Sequence, residues 1–220
     1  MAGILFIISA PSGSGKSTLV SELRKLVQGL EFSISYTTRD PRGSEQDGVE
    51  YHFITKGKFR AMIDAGEFLE HAVVFGDNYY GTAASALTLA KEHGHDLLLD
   101  IDVQGALQVM ERVSKAVSIF ILPPSPQVLE KRLRNRSQAE GFTDEAVIEK
   151  RLTQARTELA KLSNYQYALV NDVLEEAVSS LRAIVLTARD EDGAESAVAA
   201  SCLTSQPSGR LKAALTSFGI

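Results

Sequence analysis

The residues with the clearest chemical meaning lie near the N-terminus, in the segment Ala10–Ser17 (APSGSGKS). An apolar run precedes this segment and a helical pattern follows it, which predicts a strand, a tight loop and a helix in that order. Gly13 and Gly15 lack a Cβ, so the backbone N–H groups there can turn around an anion. Lys16 adds positive charge, and Ser17 adds a hydroxyl for a metal ion. The loop is typical of sites for the β- and γ-phosphates of a nucleoside triphosphate with Mg²⁺.

One position departs from the usual pattern of such loops, because Ala10 stands where the first glycine is expected. Alanine is tolerated there if the backbone φ angle is negative. The alternative interpretation is an ordinary Gly/Ser-rich turn between a strand and a helix.

A second cluster of chemically suited residues lies in the segment Thr37–Phe53. Arg39 and Arg42 carry planar guanidinium groups, which donate paired hydrogen bonds to a dianionic phosphate, and Tyr51 can add a neutral donor. The alternative is a charged surface loop with no ligand.

The pattern of apolar residues predicts the elements that must position these clusters. Continuous apolar runs are typical of strands buried on both faces of a parallel sheet, and they occur at Ile4–Ile8, Leu97–Ile101, Ala116–Leu122 and Tyr167–Val170. Helical patterns separate or follow them at Leu19–Leu26, Ala83–Lys91, Val103–Val113, Pro126–Leu133, Asp144–Leu162 and Leu174–Leu186. This alternation predicts an α/β fold, a parallel sheet with helices on both faces and a ligand at the carboxyl ends of the strands.

Three stretches interrupt the alternation. The segment Tyr36–Thr82 is polar and then aromatic-rich, with β-like alternation at Tyr51–Ile54 and Phe68–Phe75, and is predicted to be a small inserted domain. The polar segment Asn135–Thr143 is predicted to be a mobile lid. After Ala188 the chain turns acidic and then rich in Ala and Ser, and we expect a frayed appendage there.

Composition excludes several classes of protein. A chain of 220 residues with 44% hydrophobic residues can bury one core, and a net charge of −5 argues against a nucleic-acid scaffold. The single cysteine, Cys202, forms no internal disulfide, and the N-terminal apolar run is too short to span a bilayer, so a cytoplasmic protein without nucleic-acid or membrane partners is expected. The four histidines show no ligand-like spacing, and we assign them no metal.

The second cluster resembles the signature of the guanylate kinase family. The matching positions are Thr37, Thr38, Arg39, Arg42, Glu45, Gly48, Tyr51 and Phe53. The resemblance extends from Ile4 to about Leu186 and includes Asn78–Thr82, Leu99–Gly105 and Val170–Asp172. Bacterial members of the family often carry alanine at the position of Ala10, so this departure also fits.

The resemblance implies roles for individual residues. By this resemblance, the residues expected to bind the phosphate of GMP are Arg39, Arg42, Tyr51 and Tyr80, and Glu45 belongs to the same GMP-binding set. The residues expected to bind the guanine base are Ser35, Glu70, Thr82 and Asp102. The residues expected to bind ATP are Ala10, Pro11, Ser12, Gly13, Ser14, Gly15, Lys16, Ser17 and Thr18 together with Arg132. The residues expected to be catalytic are Lys16, Arg39, Arg136 and Arg151. Mg²⁺ is expected to bind Ser17 directly and Asp100 through water. Asp100 stands at the end of the apolar run 96–100. The stretch between Arg136 and Arg151 is a few residues longer than the common family form and lacks its Arg-Gly-x-Asp/Thr-Glu arrangement, so each lid arginine's contact stays open.

The chemistry of guanine agrees with this division of roles. Guanine presents N1–H and N2–H₂ donors, which carboxylates accept, and its O6 accepts from hydroxyls. Adenine lacks these donors and would leave Glu70 and Asp102 without partners. For Glu70 alone, a surface carboxylate is the alternative.

The resemblance therefore implies an ATP-dependent guanylate kinase that acts on GMP or dGMP. The expected domain is 1–188, with a core of 1–35, 83–130 and 155–188, a GMP-binding insertion at 36–82, a helical lid at 131–154 and a tail at 189–220. Two alternatives remain: an inactive guanylate-kinase-like module that binds proteins, and a kinase for a different nucleotide. Whether the chain forms a homo-oligomer is left open by its sequence.

Overall fold

The computed structural model describes residues 3–74, 77–139, 144–190, 193, 195–207 and 209–220. The strands are β1 (Leu5–Ser9), β2 (Leu30–Phe32), β3 (Tyr36–Thr37), β4 (His52–Phe53), β5 (Phe68–Val74), β6 (Asn78–Ala83), β7 (Asp96–Asp100), β8 (Val117–Leu122) and β9 (Tyr167–Val170). The helices are α1 (Lys16–Leu26), α2 (Lys56–Asp64), α3 (Ala84–Glu92), α4 (Val103–Arg112), α5 (Pro126–Ala139), α6 (Glu145–Leu159), α7 (Leu174–Ala188), α8 (Ser196–Ser201) and α9 (Gly209–Phe218), with a 3₁₀ turn at Leu162–Asn164.

The first sheet has the strand order β2-β7-β1-β8-β9. β2 pairs with β7 and β8 pairs with β9, both in parallel. The four predicted apolar runs form β1, β7, β8 and β9, and every residue of β1 and β9 is buried, as expected for strands covered on both faces. The predicted fold class, a parallel sheet with flanking helices, is confirmed.

The contact pattern divides the chain into two compact units. The first unit comprises the chain up to Phe6 and Gly29–Ala116, and the second comprises Ile7–Gln28 and Val117–Ile220. These boundaries differ from the predicted core, insertion and lid, so that division stays a prediction.

Within the first unit, a second sheet has the order β4-β3-β6-β5. β6 pairs antiparallel with both β3 and β5, while β4 pairs in parallel with β3. Phe59 of α2 stacks on Phe68 of β5 with ring centroids 4.4 Å apart, and Met62 completes the buried cluster. A small core thus lies within the part of the chain that holds Arg39, just after β3, and Glu70 of β5.

Within the second unit, α7 is the central helix and packs against α1, α8 and β9. Its inner face includes the fully buried Leu181, Ala183, Ile184 and Val185. Ion pairs and packing around this helix place the loop before α1 and the strand β9 in one rigid setting.

The expectation of a frayed appendage after Ala188 is wrong for the described part of that segment. α8 packs on α7, and Arg182 forms an ion pair with Glu195 at 2.5 Å. Leu203 forms an antiparallel bridge with Tyr167, and the N–H of Ala168 donates to the carbonyl of Cys202 at 2.8 Å. Leu211 of α9 is also buried. The composition was misleading because short Ala- and Ser-rich helices bury enough surface when a helix such as α7 receives them.

The predicted lid is partly helix. α5 continues to Ala139, four residues beyond Asn135, whereas residues 140–143 lie outside the described part of the chain, as does Phe75. Arg134 donates to Glu130 of its own helix and to both carboxylate oxygens of Glu145 in α6, at 2.8 and 2.6 Å. These bonds tie α5 to α6, so Arg134 has a structural part here.

Candidate active site

The loop before α1 has the backbone geometry of an anion site. The N–H of Ser14 donates to the carbonyl of Pro11 at 3.1 Å, and Gly15, with φ of 82°, leads directly into α1. No side chain of the described residues caps this helix, and the positive end of its dipole favours an anion there. Asp190 is the non-glycine residue with positive φ in the described chain, so Ala10 has the negative φ that alanine needs.

Asn171, immediately after β9, holds this loop in place. Its side-chain Nδ2 donates to the carbonyl of Ser14 at 2.7 Å, and its own N–H donates to Leu122 of β8 at 2.8 Å. A Cβ at Gly15 would lie 2.4 Å from that Nδ2. Gly15 is therefore required twice, by its left-handed backbone and by the close approach of Asn171.

Three of the arginines predicted to serve ATP or catalysis, Arg132, Arg136 and Arg151, lie in the second unit, as the loop does, whereas Arg39 lies in the first. Arg136 donates from Nη1 to Ser12 Oγ at 3.4 Å, and Arg151 donates to Ser137 Oγ at 3.0 Å. Arg132 donates from Nη2 to the carbonyl of Asn171 at 3.1 Å, while its Nη1 is buried without a hydrogen-bond partner among the described residues. A buried guanidinium nitrogen without a partner is costly, which suits a site completed by a ligand.

At the N-terminus of α1, Lys16 is half-buried and Ser17 and Thr18 are exposed. The ammonium and the two hydroxyls therefore start the helix at the positive end of its dipole, where phosphate oxygens are favoured. The predicted triphosphate residues thus form one continuous loop and helix start.

In the first unit, Arg39 is buried and held on three sides. Its Nη1 and Nη2 donate to the two carboxylate oxygens of Glu45 at 2.6 and 2.7 Å, and its Nε donates to Tyr80 Oη at 3.1 Å. The hydrogen bonds to Arg39 keep the pKa of Glu45 below its ordinary value. The guanidinium carbon lies 4.9 Å from the ring centroid of Tyr51, a cation–π contact.

Tyr51 and Tyr80 meet edge to face, with ring centroids 5.8 Å apart. Burial raises the pKa of Tyr51, so this phenol stays protonated and can donate. Arg42 is exposed, and its backbone N–H donates to Glu45 at 2.8 Å. Arg39, Tyr51 and Tyr80 therefore form one group of hydrogen-bond donors, in which the carboxylate of Glu45 orients Arg39.

Glu70 of β5 is the most deeply buried acidic residue of the site, with 3% of its surface exposed. Thr82 of β6, its cross-strand neighbour, donates from Oγ1 to Glu70 Oε1 at 2.7 Å. Burial chiefly, together with the nearby charge of Asp102, raises the pKa of Glu70 to about 7. A Cβ on Gly105 of α4 would lie 2.4 Å from Glu70 Oε2, so only glycine fits beneath this carboxylate.

The remaining predicted residues of the first unit are placed by strand ends. Asp102 is the N-cap of α4 and accepts at Oδ1 from the N–H groups of Gln104 and Gly105, at 2.7 and 3.0 Å. Asp100 ends β7, and its charge contributes to the raised pKa of Tyr51. Ser35 is half-buried just before β3, and its carbonyl accepts from His52 at 2.9 Å.

Three residues of the site were missed or incompletely described by sequence reasoning. Asn171 was part of the family resemblance but received no role, although a polar residue directly after a buried strand is a signal for a site. Gly105 had no local signal, because its need arises from Glu70 in another element. Glu45 was grouped with GMP, whereas its side chain accepts from Arg39.

None of the described helices is long and apolar enough to cross a membrane.

The family model described as guanylate kinase matches residues 3–188. A guanylate kinase of Koribacter versatilis is 53% identical, with 99% of this chain and 97% of the relative covered. A guanylate kinase of Methylobacillus flagellatus is 47% identical, with 86% and 91% covered.

Among solved structures, the crystal structure of guanylate kinase from Anaplasma phagocytophilum is similar, with a TM-score of 0.69 and 31% identity. It covers 88% of this chain, and 89% of that chain is covered in turn. The fold, the two residue clusters and these matches agree. The chain therefore belongs to the guanylate kinase family.

Proposed function

We propose that the protein transfers the γ-phosphoryl group of ATP to GMP or dGMP, giving ADP and GDP or dGDP. The observation that carries the proposal is the buried carboxylate of Glu70. It accepts at Oε1 from Thr82 Oγ1 at 2.7 Å, and the charge of Asp102 acts on it. A buried carboxylate whose described hydrogen bond comes from a neutral hydroxyl is matched by the N1–H and N2–H₂ donors of guanine. Family membership and the relatives' names support the same substrate.

On the acceptor side, Arg39 and Tyr80 bind the phosphate of GMP, Tyr51 donates a further hydrogen bond, and Arg42 adds charge from the exposed loop. The contacts described for Arg39 use four of its five N–H donors. The remaining N–H of Nη2 and the phenolic O–H groups of Tyr51 and Tyr80 donate hydrogen bonds to the phosphate oxygens. Glu45 acts through Arg39 and is a positioning residue.

On the base side, Glu70 and Asp102 accept from the guanine donors, and Thr82 and Ser35 provide hydroxyls. Adenine offers neither donor, so in a complex with AMP the buried Glu70 would keep the hydroxyl of Thr82 and gain no donor from the base. A site of this kind can discriminate by about 10⁴-fold or more.

On the donor side, the backbone of the loop 10–17 surrounds the phosphates of ATP, and Lys16 neutralises charge on the transferring group. Arg132 faces the nucleotide with its unpartnered Nη1, and Arg136 and Arg151 stabilise transition-state charge. Transfer is direct and requires no covalent enzyme intermediate. Alignment of donor and acceptor phosphates supplies most of the remaining rate acceleration.

We also propose that Mg²⁺ accompanies ATP, with Ser17 as a direct ligand and Asp100 acting through water. The hydroxyl of Ser17 is exposed at the start of α1 and Asp100 ends β7, and such hard oxygen donors suit this ion. When bound, Mg²⁺ supplies positive charge to the phosphate oxygens. The proposal includes a cytoplasmic location. Its one structural support is Cys202, which is buried and free.

The test is ADP release in a coupled assay with GMP, dGMP, AMP, CMP and UMP run side by side. GMP and dGMP should be turned over and the other three should be near background. Turnover of AMP at a comparable rate would assign the protein to another nucleotide, and no ADP release with any of them would favour the inactive binding module.

A matched pair of variants tests the donor side. Lys16→Ala should remove most of kcat with little change in GMP binding, whereas Lys25→Ala, at the exposed far end of α1, should leave both unchanged. A large loss of GMP affinity at near-normal kcat in Lys16→Ala would contradict the role of Lys16.

A further inference from the structure

Three side chains with metal-ligating atoms, none of them assigned to a nucleotide, come together in the first unit. His93 Nδ1 lies 2.7 Å and His95 Nδ1 2.8 Å from the same oxygen, Oε1 of Glu31. The two imidazole rings meet at an angle of 66° with centroids 6.2 Å apart. One ligand atom from each residue lies within 4.8 Å of the others.

The backbone fixes the positions from which these side chains extend. His93 ends α3, and its N–H donates to Leu89, while the N–H of His95 donates to Ala90 at 2.9 Å. These two bonds, with Gly94 between them, close the helix in a tight turn. Two histidines separated by one residue are thereby held on the same side of the turn.

Glu31 is placed beside this turn by strand pairing. It is the central residue of β2 and is in register with Leu97 of β7, the strand that His95 precedes. The N–H of Asp96 also donates to the carbonyl of Gly29 at 2.9 Å, which fixes β2 against the start of β7. The cluster therefore joins β2 to the short turn between α3 and β7, which carries both histidines.

The donor set has a definite chemical preference. Two imidazole nitrogens and one carboxylate oxygen suit borderline divalent ions such as zinc, whereas Mg²⁺ and Ca²⁺ prefer oxygen ligands throughout. The side chains of Glu31, His93 and His95 are 32%, 56% and 46% exposed, so an ion can reach them and the imidazoles can adjust. We propose that Glu31, His93 and His95 form a binding site for a zinc-type divalent transition-metal ion, with water in the open fourth position.

The site is independent of the nucleotide chemistry, and its consequence is mechanical. Zinc would replace the two hydrogen bonds to Glu31 by bonds to one ion and would fasten β2 to the turn between α3 and β7. Zinc binds the folded arrangement in preference to the unfolded chain, so it should stabilise the protein.

The test is zinc binding to the full chain. The protein is first freed of metal by a chelator and is kept without nucleotide. Excess Mg²⁺ is present so that it occupies sites built from oxygen donors alone. Zinc is titrated in competition with a chromophoric chelator. One zinc per chain is expected, and Glu31→Gln, His93→Ala and His95→Ala should each weaken binding roughly 10-fold or more. The control is His52→Ala, a histidine that packs on Tyr36 in the same unit, and its zinc affinity should be unchanged.

A second measurement separates metal binding from a simple histidine–carboxylate ion pair. Protons compete with zinc for imidazole nitrogens, so zinc binding should weaken on acidification, whereas a histidine–carboxylate ion pair needs no metal at any pH. Zinc should raise the unfolding temperature of the parent protein and of His52→Ala but not of the double variant His93→Ala/His95→Ala, whose circular dichroism without metal confirms that it folds. Absence of zinc binding, or stoichiometric binding that persists in all three ligand variants, would overturn the proposal.

Discussion

Glu45 accepts a hydrogen bond on each of its carboxylate oxygens from the guanidinium of Arg39, at 2.6 and 2.7 Å. The same carboxylate accepts from the backbone N–H of Arg42, so it orders both arginines of the segment. Because only 22% of the Glu45 side chain and 8% of the Arg39 side chain are exposed, water weakens this pair little. The pair presents the guanidinium in a fixed orientation before any phosphate arrives.

Replacement of Glu45 by Gln should raise KM for GMP roughly 10-fold with a smaller change in kcat, because Arg39 loses its paired charged acceptor. Steady-state kinetics at saturating ATP measures the effect. Glu50→Gln is the control, since Glu50 accepts from the backbone of Gln46 in the same segment at 2.7 Å. Equal KM values for the two variants would show that Arg39 needs no ordering.

The affinity for GMP should depend on pH through Glu70. Burial raises the pKa of this carboxyl to about 7, and the guanine donors require its ionised form. GMP binding should therefore strengthen as pH rises toward about 8 and weaken toward about 6. Calorimetric titration of GMP measures this, with Glu70→Gln as reference, since the variant keeps the titration of the GMP phosphate. The same pH slope in both proteins would remove Glu70 from base recognition.

Without nucleotide, Glu70 should destabilise the fold at high pH. Its ordinary pKa of 4.5 is lower than its folded value, so the folded state binds more protons between the two values and the free energy of unfolding falls as pH rises. Glu70→Gln should therefore be more stable than the parent at about pH 8, by roughly 3 kcal/mol at most, with the gain shrinking toward about pH 5. Urea unfolding at the two pH values measures it. A gain that is independent of pH would point to packing and not to ionisation.

Gly105→Ala should impair the recognition of guanine, because its Cβ would lie 2.4 Å from Glu70 Oε2 and displace that carboxylate. We expect reduced selectivity for GMP over AMP and some loss of stability. Gly57→Ala in α2 is the control, since nothing lies within 4 Å of a Cβ there. That variant should gain about 0.5–1 kcal/mol of stability with unchanged kinetics. Unaltered selectivity in Gly105→Ala would mean that Glu70 adjusts without cost.

Asn171→Ala should raise KM for ATP, because the buried carbonyl of Ser14 loses its donor and the phosphate loop loses its support. The unmet carbonyl should also lower stability by about 1–3 kcal/mol. Asn164→Ala is matched in type, since its side chain donates to a neighbouring backbone carbonyl at 3.0 Å on the exposed 3₁₀ turn. If both variants raised KM for ATP alike, the effect would come from general destabilisation.

Local sequence patterns were sufficient for the four apolar strands of the first sheet and for helices α1 and α3 to α7. The apolar runs that form β1, β7, β8 and β9 are buried on both faces, which leaves a signal independent of their neighbours. The two-residue strands β3 and β4 have no such signal, and their pairing follows from the sheet around them. Gly105 and Glu31 show the same limit, because their importance arises from partners 35 and 62 or more residues away.

The segment after α8 has a consequence for how the protein can be handled. β9 is the last strand in the order of the first sheet, and a bare edge strand offers its unpaired N–H and C=O groups to any other extended chain. Cys202–Thr204 covers part of that edge, with Ala168 and Thr204 both donating to carbonyls across the gap. A shortened version ending near Ala188 would keep every residue assigned to nucleotides and still be prone to stick to itself. Expression trials of trimmed versions should therefore be judged by aggregation as much as by turnover.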